Sequence, residues 1–223
     1  MDLWPEGGRR ALPLVVPMLT IGAAFGLLAE PVMGPLPPVV MSVVVFAGGA
    51  QFAALGVLTA GGAAGAAALA GALTNLRYLP TGFAVAPSLR GGRLRRSIEG
   101  QAVVDASFAL AARGDGTFDR AVLLWSTAVQ AVCWIGGTVL GVLAAGAIPD
   151  PEAWGIDVLL PVFFASLLAG ELRRFGRTAV TVSVTAAALA VLTTPVLPAG
   201  LPIAVAALAC VLALFRDRRG EVR

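Results

Sequence analysis

Ser42-Val43-Val44-Val45-Phe46-Ala47-Gly48-Gly49-Ala50-Gln51-Phe52 is an apolar run broken by a glycine pair and one amide. Two more interruptions follow. In Thr74-Asn75-Leu76-Arg77-Tyr78-Leu79-Pro80 an arginine sits inside a second apolar run, and in Asp105-Ala106-Ser107-Phe108-Ala109-Leu110 a carboxylate opens a short, weakly apolar segment. Most other long runs are nearly free of charge for about 15–30 residues, the length a helix needs to cross a hydrocarbon core of about 30 Å. Polar and ionisable groups set this deep in an apolar chain are costly and mark function.

The chain has 223 residues, 58% hydrophobic and 13% charged, with a mean hydropathy of +0.87. Soluble domains carry about 25% charged residues, so this composition reads as an integral membrane protein. No segment alternates apolar and polar residues as an outer-membrane barrel strand does. The expected fold is all-α, a polytopic transmembrane helical bundle forming one membrane domain over 1–223. Its first half, 11–112, holds the polar motifs, and its second half is 118–215. No loop is long enough for a water-soluble domain.

The pI near 9.6 does not point to nucleic acid, because the arginines cluster at the ends of apolar runs and set orientation. Histidine is absent, so a proton relay must use carboxylates and a histidine-ligated metal site is excluded. No metal-ligand spacing, phosphate loop, nucleotide signature or nucleophile elbow is found. No cofactor, ATP-driven pump or enzymatic activity is expected. Cys133 and Cys210 lie in apolar runs as small hydrophobes, and no disulfide is expected. Arg9-Arg10 before an apolar run mimics a signal peptide, but Pro13 and Pro17 break that run and no small-x-small cleavage site follows. It reads as a retained first helix.

The apolar runs are 11–30, 39–60, 63–88, 98–112, 121–148, 158–170, 178–194 and 201–215. The basic loops at 90–96 and 171–177 and the basic C-terminal tail are expected in the cytoplasm, and the acidic loop 150–157 outside. Parity from residue 90 onward holds if 98–112 does not cross. On the N-terminal side it fails if 11–30, 39–60 and 63–88 all cross. Either 39–60 dips in and returns at Gly48-Gly49, or 39–60 and 98–112 both cross to give eight spans. The arginine rule favours the first: six full spans plus two short or broken segments, re-entrant where they turn back. Trp4, Trp125, Trp134 and Trp154 read as interface anchors, and Ser126 and Gln130 as packing contacts.

An arginine near a helix centre costs roughly 2.5–3.5 kcal/mol on insertion scales. Arg77 therefore needs a wet cavity, a counter-charge or an interface to reach. Its planar fork suits a carboxylate, so it is either a clamp on an anionic group such as an amino-acid carboxylate or one half of a standing ion pair with Asp105. Asp105, with Glu99 nearby, can bind an ammonium group, carry a proton, pair with Arg77 or simply sit wet at the interface. Gln51 and Asn75 can orient a ligand or bond between helices. Gly48 and Gly49 can free backbone groups for a ligand or allow close packing. Phe46, Phe52 and Phe108 are the expected hydrophobic pocket.

The order Phe46-Ala47-Gly48-Gly49-Ala50-Gln51-Phe52-Ala53-Ala54-Leu55-Gly56, then Asn75-Leu76-Arg77-Tyr78-Leu79-Pro80, then Asp105-Ala106-Ser107-Phe108-Ala109-Leu110 resembles the AzlC family of branched-chain amino acid permeases. Gly155-Ile156-Asp157 through Pro161-Val162-Phe163-Phe164-Ala165-Ser166-Leu167-Leu168 is similar to that family's later signature. The resemblance runs from about Pro13 to residue 215. It implies a multi-pass exporter of branched-chain or other hydrophobic amino acids in a bacterial cytoplasmic (inner) membrane. It also implies coupling to the proton motive force and a separately encoded, small AzlD-type membrane protein as partner in a heteromeric complex. The family often has an acid where this chain has Ala106, and histidine where it has Tyr78. Coupling schemes that need those groups do not carry over, which leaves Arg77 and Asp105. The competing reading is a non-transporting membrane subunit that scaffolds its partner, with Arg77 and Asp105 permanently paired.

Overall fold

The structure is a computed structural model that describes residues 5–113, 115–148 and 158–197, with 153, 155, 202, 205 and 206 besides. Among the described residues every regular element is helical, and the only pairing of extended backbone is the isolated bridge Ala112–Phe118. The chain divides into two compact units. One gathers Met1–Gly48 with Asn75–Ile156, the other Gly49–Thr74 with Asp157–Arg223.

Two long helices organise the first unit. Helix α1 (Glu6–Ala11) passes through a tight 3₁₀ turn at Leu12–Leu14 into α2 (Val15–Met33). Pro13 lies in that turn, where its missing N–H is least felt, so the prolines bend the helix and do not end it. Together these 28 residues reach about 42 Å at about 1.5 Å per residue, enough to cross a bilayer. The second long helix is α9 (Arg120–Ala145), 26 residues. Asp119 caps it, its carboxylate accepting from the amides of Ala121 and Val122.

Glycines bring α2 and α9 together. Gly22 and Gly26 on one helix face Gly137 and Gly141 on the other, both pairs four residues apart. A Cβ on Gly26 would stand 2.1 Å from the carbonyl oxygen of Thr138, and one on Gly141 2.0 Å from that of Ala23. The backbones touch, as small-residue pairs allow in membranes, where apolar side chains gain nothing by leaving lipid. Phe25 and Trp134 stack at 6.5 Å beside this seam, and Ser42 bonds Thr138 at 2.8 Å. Trp134 is buried at 5% exposure, so it is a core residue and not the interface anchor its position near a run end suggested.

The other helices of this unit are short: α3 (Leu36–Val44), α6 (Tyr78–Val85), α7 (Arg93–Gly100) and α8 (Asp105–Ala111), seven to nine residues each. The longest reaches only about 13 Å. Val85 of α6 and Ala111 of α8 join Ala102, Val103, Val122 and Leu123 in one apolar cluster, while α3 packs on α2 and α9. In the second unit α4 (Gly48–Thr59) and α5 (Ala64–Asn75) meet where Gly71 lacks a side chain, its Cβ position 3.2 Å from the carbonyl oxygen of Ala50. The remaining helix, α10 (Leu159–Thr193), has 35 residues.

Only two described helices, Glu6–Met33 and Arg120–Ala145, are long and apolar enough to cross a membrane, with Gly48–Thr59 and Val180–Thr193 as shorter apolar helices. The expected segmentation changes at two other places. The run 63–88 is not one helix. It stops at Asn75 and restarts at Tyr78, because Pro80 offers no N–H and its ring crowds the carbonyl of Leu76. That carbonyl instead accepts from Leu79 in a tight turn at 3.0 Å. Conversely 158–170 and 178–194 are one helix, since residues 171–177 carry charge but nothing that stops helical backbone. The run 201–215 lies mostly outside the described residues. The run 39–60 is broken, but at Val45–Ala47 and not at the expected Gly48-Gly49, which open helix α4.

Candidate functional site

Three helix breaks line one cavity of about 250 Å³ within the first unit. Val45, Phe46 and Ala47 come from the α3–α4 break and Asn75 from the α5–α6 break. Gln101, Val103 and Val104 come from the α7–α8 break, and Tyr78, Gly82, Ser97 and Gly100 from the adjoining helix ends. Irregular backbone persists in a membrane protein only where it is buried in protein or lines a wet cavity. Each break also has a local cause. Phe46 adopts φ +41°, a left-handed conformation that a bulky side chain enters only under constraint. Pro80 makes the second. At the third, Ser107, fully buried, accepts from the amide of Val104 and donates to the carbonyl of Ala102, which also takes the hydroxyl of Thr127 at 2.8 Å. The backbone groups freed by the turn are thus held by two hydroxyls, and α8 starts at Asp105.

Beside the cavity lies an ion pair with a bridging phenol. The Nη2 of Arg77 stands 3.0 Å from Oδ2 of Asp105 and donates to Tyr78 Oη at 2.9 Å. Tyr78 Oη in turn donates to the same Asp105 oxygen at 3.2 Å. The guanidinium also sits 4.8 Å from the centre of the Tyr78 ring, within cation–π range. The pair is not sealed: its side chains are 34% and 51% exposed. Two buried atoms have no hydrogen-bond partner among the described residues, Arg77 Nε and Asn75 Oδ1. Asn75 is in the cavity lining, and Arg77 is its near neighbour in the chain, joined to the lining through Tyr78.

The sequence-predicted residues divide. Phe46 and Asn75 line the cavity, and Arg77 and Asp105 are brought together beside it. Gly48 serves packing: a Cβ there would meet the Trp134 ring at 2.6 Å. Phe108 pairs with Phe118, ring centres 4.8 Å apart, against the apolar cluster. Gly49, Gln51 and Phe52 belong to the second unit, where Gln51 is fully buried and Phe52 is 8% exposed. Sequence reasoning missed three things. It took Tyr78 only as a departure from a pattern, gave Ser107 no role and did not see Gln101 in the cavity wall. The signal for Tyr78 was its place beside the one arginine inside an apolar run.

A second charged cluster lies outside the spans. Glu99, 7% exposed, accepts from Nε and Nη2 of Arg120, from Arg95 Nε at 3.0 Å and from the Arg90 amide at 3.3 Å. The Arg120 hydrogen bonds above all hold its pKa down to about 2. This fixes α7 to the start of α9, and with it the loop that places Gln101 in the cavity. Asp119 is likewise held below its ordinary pKa, chiefly by its hydrogen bond from Arg113 at 2.6 Å.

Long apolar helices joined through glycines, with short broken helices gathered on a polar-edged cavity, define a helical membrane protein. The chain belongs to the AzlC family, matching AzlC protein over residues 13–148. It is similar to Inner membrane protein YgaZ of Escherichia coli (strain K12), 27% identical over 184 residues that cover 76% of this chain and 73% of that protein. No solved structure matches the chain.

Proposed function

We propose that this protein exports branched-chain or other hydrophobic amino acids across a bacterial inner membrane, driven by the proton motive force and acting with a small AzlD-type membrane protein. The observation that carries the reading is the convergence of three helix breaks on a cavity with a partly open Arg77–Asp105 pair at its edge. At about 250 Å³ the cavity falls below the roughly 300–1,000 Å³ that holds drug-sized ligands and suits a small molecule. A zwitterion complements both members of the pair. Its carboxylate takes the guanidinium, whose Nε has no partner, and its ammonium or a proton takes Asp105. Asn75 Oδ1 accepts from the ammonium, Tyr78 passes from one partner to the other, and Phe46 meets the apolar side chain. The C-terminus is taken as cytoplasmic.

The test is efflux of labelled valine or leucine from preloaded cells or proteoliposomes containing the chain and its partner. Arg77→Ala is expected to lower efflux at least tenfold, and Asp105→Asn to uncouple it from a pH gradient. Unchanged efflux in well-expressed Arg77→Ala would remove the clamp. One observation favours the scaffold reading, namely that Arg77 and Asp105 already hold each other at 3.0 Å. The charge swap Arg77→Asp with Asp105→Arg separates the two. Restored complex formation and cell function would favour a scaffold, whereas lost efflux fits a site that reads the polarity of its ligand.

A further inference from the structure

Helix α7 presents an unusual face. Leu94 and Ile98, four residues apart and so on one side of the helix, are 77% and 64% exposed. Arginines surround them. Arg90 and Arg93 are exposed, and neither guanidinium has a hydrogen bond or ion pair among the described residues. Arg96 gives one nitrogen to the carbonyl of Ala86, and Arg95, with a side chain 63% exposed, gives one to Glu99. The only acid of the helix, Glu99, is buried on the opposite side and neutralised by Arg120. The outward surface thus combines two large apolar side chains with uncompensated positive charge, in a chain that also carries two helices long and apolar enough to cross a membrane.

We propose that this face of α7, Leu94 and Ile98 flanked by Arg90 and Arg93, is a docking surface for anionic phospholipid. The two apolar side chains enter the boundary between headgroups and acyl chains, and the guanidinium groups take lipid phosphates. An interfacial helix gains both from apolar burial and from attraction to anionic lipid. Charge complementarity selects the occupant: a neutral lipid satisfies the leucine and isoleucine but leaves the arginines unanswered. Ser97 and Gly100 of the same helix, with Gln101 just beyond, line the cavity. The proposal rests on membrane location and not on transport.

The test uses the full chain in nanodiscs of mixed phosphatidylcholine and phosphatidylglycerol, with lipids retained on the protein counted by native mass spectrometry. Wild type is expected to retain phosphatidylglycerol in excess of its share in the disc. Arg90→Gln with Arg93→Gln should lose that excess by roughly fivefold per arginine removed, while Arg90→Lys with Arg93→Lys should keep most of it. Equal retention in the glutamine variant and wild type, or no enrichment in wild type, would overturn the proposal. If the glutamine variant does not fold, a salt titration of wild type decides: enrichment must fall as ionic strength rises, and enrichment indifferent to salt would also overturn it.

Discussion

The α2–α9 pair and the α6–α8 region belong to the same unit and are built on opposite terms. Along α2 and α9 the backbone is continuous, its amides and carbonyls are satisfied within each helix, and glycines remove the space between them. From Tyr78 to Ala111 no helix exceeds eight residues, and hydroxyls and ion pairs hold the turns. The first arrangement leaves nothing to offer a ligand. The second leaves an unpartnered acceptor on Asn75 in a cavity wall and an unpartnered donor on Arg77, which bonds Tyr78 of the same wall. The lesson is a division of labour: close packing fixes the frame so that broken helices can keep polar groups unspent beside it.

That contrast can be broken most forcefully at the glycine seam. A Cβ on Gly137 would stand 2.3 Å from the carbonyl oxygen of Leu19, whereas Gly136, its neighbour, faces open space. Gly137→Ala should destabilise the protein by about 1–3 kcal/mol or more through overpacking. Gly136→Ala should leave the melting temperature unchanged or raise it slightly, as alanine is the better helix former. Equal melting of the two variants in detergent would remove the seam from the account.

The Glu99 cluster gives the next effect. With its pKa at about 2 against an ordinary 4.5, Glu99 contributes stability that is fully present above about pH 4.5 and lost as pH falls towards 2. Glu99→Gln should melt lower at neutral pH, and its deficit against wild type should shrink through that window. Two melting curves that stay parallel across it would show that the carboxylate does not fasten α7 to α9.

The smallest effect belongs to the phenol. Tyr78→Phe keeps the ring against Arg77 but removes the hydroxyl between Arg77 and Asp105. Because the ion pair is a third to a half exposed, it is worth only about 0–1 kcal/mol to folding. Thermal stability should hardly move, while efflux falls by less than in Arg77→Ala. A large drop in stability would make this triad structural and set it with the frame.

Much of this plan was legible in the sequence, and the exceptions have physical reasons. A break near the adjacent glycines was legible, though it falls just before them at Val45–Ala47, and the pairing of Arg77 with Asp105 was marked by the cost of lone charges in apolar runs. The break at Leu76–Arg77 was marked too, by Pro80, but the apolar run continues across it and hydropathy does not register a missing amide. The union of 158–170 with 178–194 fails in the opposite sense, because arginines lower hydropathy without ending a helix. The four-residue spacing of Gly22 with Gly26 and Gly137 with Gly141 names a packing face, though not which faces meet. What could not be read was convergence: that breaks 30 residues apart share one cavity depends on tertiary packing, which no local pattern carries.

The central claim is that the cavity at the three breaks is a wet site for an amino acid, and thiol accessibility measures it most directly. With Cys133 and Cys210 replaced by serine, Gln101→Cys in the cavity wall is exposed to a membrane-impermeant thiol reagent, with and without saturating leucine. The account predicts labelling that leucine slows severalfold, while Leu143→Cys, on the outer surface of α9, shows no such protection. Labelling of Gln101→Cys at the same rate with and without leucine, or no labelling at all, would contradict it.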